Sequence, residues 1–291
     1  MEERKIVVNG VGLAVRESGR GEPIVFLHFG GGNLVMWDPV VPFFEASYRC
    51  VRLDLRGHGR SDAPPSGYRL EDMALDVLGV LDALKIDAVH VVGSSLGAEV
   101  GLALSAIYPD RVQSLVCDGA FSSEYGPYGV HEAVDLSSDP EALAQLEQLL
   151  AQPEATYPSA EAFIAKKRQG WEEGGGWNEH MEAVAAYGTR QLPDGRVVNA
   201  WRKWARDEYM GHYYAYRFEA YYEALECPVL ILPGREEADD VLVSDAIVGF
   251  SRLVEHCDIV QVPGAVHPIG WMFVPREMSQ AVLDFHQELS A

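Results

Sequence analysis

The sequence predicts an α/β protein: a mostly parallel sheet with helices on both faces and a helical insertion in the second half. Three observations point there. Strand-like and helix-like apolar runs alternate along both flanks of the chain. One of them, Ala88 to Val92, has no polar face to its apolar pattern and reads as a strand covered on both sides. The stretch from about 120 to 225 has helix starts and breaks but no strand alternation. With 291 residues and 48% apolar content the chain can bury one large core. The expected division is a core of residues 1–119 and 226–291, with 120–225 as an inserted helical cap.

The elements follow in order. Residues 4–8 and 12–17 suit an antiparallel pair joined at Asn9-Gly10, a strong signal for a two-residue hairpin turn. Strands at 23–28 and 50–54 come next, then a helix from Leu70 to Leu84 that keeps Leu70, Met73, Val77, Leu81 and Leu84 on one face. The strand at 88–92, a nearly all-apolar helix from Leu96 to Tyr108 and a strand from Val112 to Asp118 complete the first half. The pattern resumes with strands at 228–233 and 257–262 and closes on an amphipathic helix opened by Pro275. Inside the insertion, Asp139-Pro140-Glu141 and Ser159-Ala160-Glu161 look like helix starts, and Gly174-Gly175-Gly176 is a break. Its last part is rich in aromatics, including Trp201, Trp204, Tyr209, Tyr213 and Tyr222, which would either line a pocket or pack the insertion onto the core.

Gly93-Ser94-Ser95-Leu96-Gly97 joins an apolar strand directly to an apolar helix. That is the layout of a nucleophile elbow, in which a strained turn lifts the central hydroxyl, here that of Ser95, out of the sheet edge. A serine hydroxyl needs a base to take its proton. His267, on the loop after the last strand, is placed to swing back over that edge, whereas His131, His180, His256 and His286 read as surface or capping residues. The oxyanion of a tetrahedral intermediate needs fixed N–H donors. Leu96 supplies one as the residue after the nucleophile, and Gly30, in His28-Phe29-Gly30-Gly31-Gly32-Asn33, is the expected second. A phosphate-binding reading of that glycine loop finds no Gly-x-Gly-x-x-Gly and no Gly-Lys-Ser/Thr to support it.

Four blocks, His28 to Asn33, Asp54-Leu55-Arg56-Gly57-His58-Gly59-Arg60-Ser61, the elbow, and Gly264 to His267, resemble the α/β-hydrolase superfamily in its cap-bearing form. That family includes esterases, lactonases, proline iminopeptidases and carbon–carbon bond hydrolases. The resemblance implies an eight-stranded sheet and a triad in the chain order Ser, acid, His. It places the acid most often after the strand at 228–232, where Asp240 best fits and Asp239 and Glu237 are alternatives; Glu124 and Asp118, after the preceding strand, are also open. Phe29 stands where the family usually has glycine, and the Asp54–Ser61 block is expected to brace the elbow.

The implied activity is a serine hydrolase, a carboxylesterase in the broad sense, cleaving a small or medium carboxylic ester, thioester or lactone without a cofactor or metal. Prolyl aminopeptidase or carbon–carbon hydrolase chemistry on the same triad, or a non-catalytic small-molecule receptor, are the alternatives. A formal charge of −21 argues against nucleic-acid and anionic-membrane partners, leaving a small-molecule substrate. No apolar run is long enough to span a bilayer, and no secretory leader is evident, so a cytoplasmic protein is expected. Cys50, Cys117, Cys227 and Cys257 read as free, mostly buried thiols. Nothing in the sequence signals an assembly state.

Overall fold

The computed structural model describes residues 2–174 and 176–290. The strands β1 (Glu3–Val8) and β2 (Val11–Gly19) form the opening hairpin, and Asn9 and Gly10 both take positive φ, as a tight turn of this type requires. Next come β3 (Glu22–Leu27), β4 (Tyr48–Leu53), α1 (Leu70–Ala83), β5 (Val89–Ser94), α2 (Leu96–Ile107) and β6 (Val112–Asp118). Between β6 and β9 come α3 (Pro140–Ala151), α4 (Ala160–Gly174), α5 (Glu179–Tyr187), β7 (Thr189–Gln191), β8 (Val197–Asn199), α6 (Lys203–Tyr213) and α7 (Phe218–Tyr222). The chain ends with β9 (Val229–Ile231), α8 (Arg235–Asp239), α9 (Val241–Ser251), β10 (Cys257–Ile259), α10 (Gly270–Phe273) and α11 (Pro275–Leu289).

The main sheet has eight strands in the order β1-β2-β4-β3-β5-β6-β9-β10. From β4 to β10 every pair is parallel, and β2 alone runs against the rest, antiparallel to both β1 and β4. Strand order reverses between β3 and β5, and at such a switch point the loops leaving the carboxyl ends diverge and leave a crevice. Successive strand residues feed two separate cores. Val25, Leu27, Val91 and Leu115 pack toward α1 and α2, while Ile24, Phe26, Val92 and Val116 pack toward α11. That double covering is why these strands lack a polar face.

Two features differ from the sequence reading. The insertion contains a small antiparallel hairpin, β7 with β8, turning at Asp194-Gly195. Its three-residue strands are too short to show alternation, and Pro193-Asp194-Gly195 was the only hint. His286 is buried, not a surface residue: Tyr48 Oη and Ser114 Oγ meet its two ring nitrogens at 3.1 and 3.0 Å, and burial beside His90 pushes its pKa down to about 3. The Gly174–Gly176 break falls where α4 ends, and Gly175 lies outside the described residues. The four cysteines are free, three of them buried.

The Asp54–Ser61 block, expected to brace the elbow, is tied instead to the loop after β3, to Tyr187 and to α1. Asp54 accepts from the amides of Leu34 and Arg60 and from Tyr187 Oη, and a side chain at Gly59 would strike its carboxylate at 2.1 Å. Arg56 and Asp76 form a buried two-point ion pair at 2.6 and 2.7 Å. Asp76→Ala would strand that guanidinium without a counter-charge. The expected loss is about 3–5 kcal/mol in a urea melt, and a loss below about 1 kcal/mol would show that the pair does not brace the fold.

Candidate active site

The strand–turn–helix at 93–97 has the geometry its sequence called for. Ser95 sits at φ 51°, ψ −121°, a region that non-glycine residues rarely occupy. A Cβ at Gly93 would lie 2.4 Å from Gly97 O, and one at Gly97 would lie 2.1 Å from Leu27 O, so neither position admits a side chain. The second clash also shows that the end of β3, and with it the 28–33 loop, abuts the start of α2. Leu96 is the first helical residue, so its N–H has no acceptor within the helix.

Ser95 and His267 line one cavity of about 130 Å³ together with Glu99, Gly119, Tyr213 and Glu237. A Cβ at Gly119 would be 2.8 Å from Ser95 Cα and 3.0 Å from His267 Cε1, so glycine there lets the two approach. Ser95 Oγ makes no hydrogen bond to the imidazole, a looseness common in substrate-free hydrolytic sites.

The carboxylate that meets the imidazole is Asp118, at the end of β6, and not Asp240. His267 Nδ1 lies 2.8 Å from Asp118 Oδ1, while Ser94 Oγ and Trp271 Nε1 each donate to Asp118 Oδ2 at 2.7 Å. Asp118 is 3% exposed, so these three partners fix its orientation without competition from water. Asp240 is exposed and instead caps α9, accepting from Val243 N. Its position just ahead of a short apolar segment, which suggested the acid, is equally the signature of a helix N-cap. Asp239 ends α8 and does not pair with His267; Glu124 pairs with His131. Glu237 does come within 3.8 Å of His267 Nδ1, but its Oε2 accepts from Gly234 N, which holds it as a second, more distant charge.

Asp118, Glu237 and His267 place their ligand atoms within 4.8 Å of one another. Both Asp118 oxygens are already taken by hydrogen-bond donors, so this donor set fits an oriented imidazole better than a cation. Burial pulls the His267 pKa down, but the charge of Asp118, the hydrogen bond to it, and then Glu237 and Glu99 outweigh burial and raise it to about 9. Glu99, the one charged residue in α2, is buried; burial raises its pKa to about 7 against the hydrogen bond from Tyr209 Oη at 2.7 Å. Its signal in the sequence was a lone acid in an apolar helix one turn past Ser95.

The glycine loop is held by His28, whose Nδ1 donates to Phe29 O and whose Nε2 accepts from Leu55 N; burial lowers its pKa to about 4, so it stays neutral. Trp201 covers the loop, with its ring 3.0 and 3.1 Å from where Cβ atoms at Gly30 and Gly31 would be. Of the aromatics between β6 and β9, Tyr213, Trp201, Trp171, Trp177 and Phe163 line cavities, whereas Tyr222 and Phe218 are buried in the core and Trp204 is exposed. Among the described residues no helix is long and apolar enough to cross a membrane.

The profile of the alpha/beta hydrolase fold family matches residues 22–237. 2-(Acetamidomethylene)succinate hydrolase of Mesorhizobium japonicum is 29% identical over 274 residues, which cover 92% of this chain and 89% of that one. 2-Hydroxymuconate semialdehyde hydrolase of Pseudomonas sp. strain CF600 is 34% identical over 121 residues, only 40% of this chain and 43% of the relative. Among solved structures, E-2-(acetamidomethylene)succinate hydrolase is similar with TM-score 0.79 at 24% identity over 98% of this chain and 99% of that one. The enol-lactonase from Burkholderia xenovorans LB400 gives 0.67 at 21% identity over 98% and 100%. At these identities the structural likeness is one of fold.

Proposed function

The chain belongs to the α/β-hydrolase family, and from that premise we propose that it is a serine hydrolase cleaving a small or medium carboxylic ester, thioester or lactone through an acyl-enzyme. The observation that carries the reading is the strained Ser95 sharing a cavity with an imidazole whose far nitrogen is held by a buried, triply hydrogen-bonded carboxylate. Ser95 Oγ attacks the acyl carbon and His267 takes its proton. Asp118 keeps the imidazole in the tautomer that presents Nε2 to the serine and stabilises the imidazolium that forms. The negative oxygen is received by the amides of Leu96 and Gly30. His267 then protonates the leaving group, and a water activated by the same imidazole releases the acid. Residues 120–225 act as the cap of a core formed by 1–119 and 226–291, since Trp201 and Tyr213 from that segment wall the cavities at the sheet edge. Likeness along nearly the whole chain favours a second reading, hydrolysis of a succinate derivative by the same residues.

Covalent labelling of Ser95 by a fluorophosphonate tests the reading, and its pH dependence tests the role of His267. The base is active only when neutral. A pKa raised to about 9 leaves roughly 1% of it neutral at pH 7. The second-order labelling rate is therefore expected to climb about tenfold per pH unit from 7 toward 9 and to level off above. A rate already flat at pH 7, or a label found on another residue, would refute it.

A further inference from the structure

A second cavity, of about 130 Å³, borders the glycine loop, walled by Phe29, Trp171, Trp177, Trp201 and Met272 and by Gly30 and Gly31. We propose that it takes a flat apolar acid, an aromatic or conjugated carboxylate with Lys167 as its counter-ion, so that the substrate processed at Ser95 carries a free carboxylate on a planar hydrocarbon body. The proposal rests on the reading of Ser95 as an acyl-transfer nucleophile.

Four observations carry it. Among the described residues lining this cavity Lys167 is the one charged side chain, and it forms no ion pair with any carboxylate, in a chain with 44 acidic against 23 basic residues. Its ammonium instead lies 5.6 Å from the centre of the Phe163 ring, and burial pulls its pKa below the ordinary lysine value, as for a cation short of a counter-charge. Trp177, one of the wall residues, has its Nε1 buried without an acceptor. The size suits one ring: apolar cavities of about 150 Å³ accommodate a single benzene.

Charge orients such a ligand. The Ser95 cavity holds Glu99 and Glu237 beside His267, already paired with Asp118, while Lys167 is the unpaired cation of the aromatic cavity, so a ligand carboxylate finds its counter-charge there. The Gly30 amide, the proposed oxyanion donor, borders the aromatic cavity, so an acyl group bonded there would extend its body toward the indoles.

Two measurements test this. In Ser95→Ala protein, quenching of tryptophan fluorescence by benzoate and by benzamide compares an anion with a neutral molecule of the same shape. Benzoate is expected to bind about tenfold or more tightly, with the difference lost in Ser95→Ala/Lys167→Met and kept in Ser95→Ala/Lys167→Arg. With Ser95 intact, kcat/KM for the methyl half-ester of terephthalic acid should exceed that for the dimethyl ester by a similar factor. That ratio should collapse toward one in Lys167→Met and return in Lys167→Arg. Equal binding of benzoate and benzamide, or a preference for the half-ester that survives Lys167→Met, would overturn the proposal. Lys167-dependent benzoate binding with neither ester cleaved would uphold the carboxylate cavity and overturn the reading of Ser95.

Discussion

Ser95→Ala is expected to reduce kcat for nitrophenyl ester hydrolysis by roughly three orders of magnitude or more, with KM little changed. It removes the attacking atom but leaves the cavity wall and both oxyanion donors in place. The fold should survive, because the positive φ at this position costs alanine about what it costs serine. A small residual rate over water is also expected from the Leu96 and Gly30 amides alone. Full turnover in the alanine variant would mean that the hydroxyl at the elbow is not the nucleophile.

Asp118→Asn should be nearly as damaging, with kcat falling by roughly 10³- to 10⁴-fold. An amide facing Nδ1 no longer selects the tautomer that presents Nε2 to the serine, nor does it stabilise the imidazolium. Asp240→Asn is the informative control. Asparagine caps a helix as well as aspartate does, so this variant should keep both the stability and the rate of the parent. The pair of variants separates the carboxylate that meets the imidazole from the one whose sequence context resembled it. A normal rate in Asp118→Asn, or a collapse in Asp240→Asn, would return the acid to the loop after β9.

Much of the fold was legible because its signals are local. Asn9-Gly10 specifies its own turn, Pro275 opens the last helix, and the heptad-like spacing from Leu70 to Leu84 marks one buried face. The elbow was equally plain, since Gly93 and Gly97 are demanded by backbone atoms only a few residues away or on the adjoining strand. Which carboxylate meets the imidazole was not legible. Whether a carboxylate reaches Nδ1 depends on where segments 24 and more residues apart in the chain come to lie side by side, and Asp118 gains its partners from Ser94, His267 and Trp271 only once β5, β6, the last loop and α10 are assembled. The aromatic cavity was hidden for the same reason: Phe29 and Trp171 lie far apart in sequence, and Lys167 on α4 looks like any surface lysine until its lack of a partner is seen.

The aspartate that rides on the strand beside the elbow both orients the imidazole and does most to raise its basicity. The segment from Arg235 to Asp240 contributes only the more distant charge of Glu237. A lineage, or an engineer, could therefore rewrite that short helix to trim the basicity of His267 while leaving its pairing with the aspartate untouched.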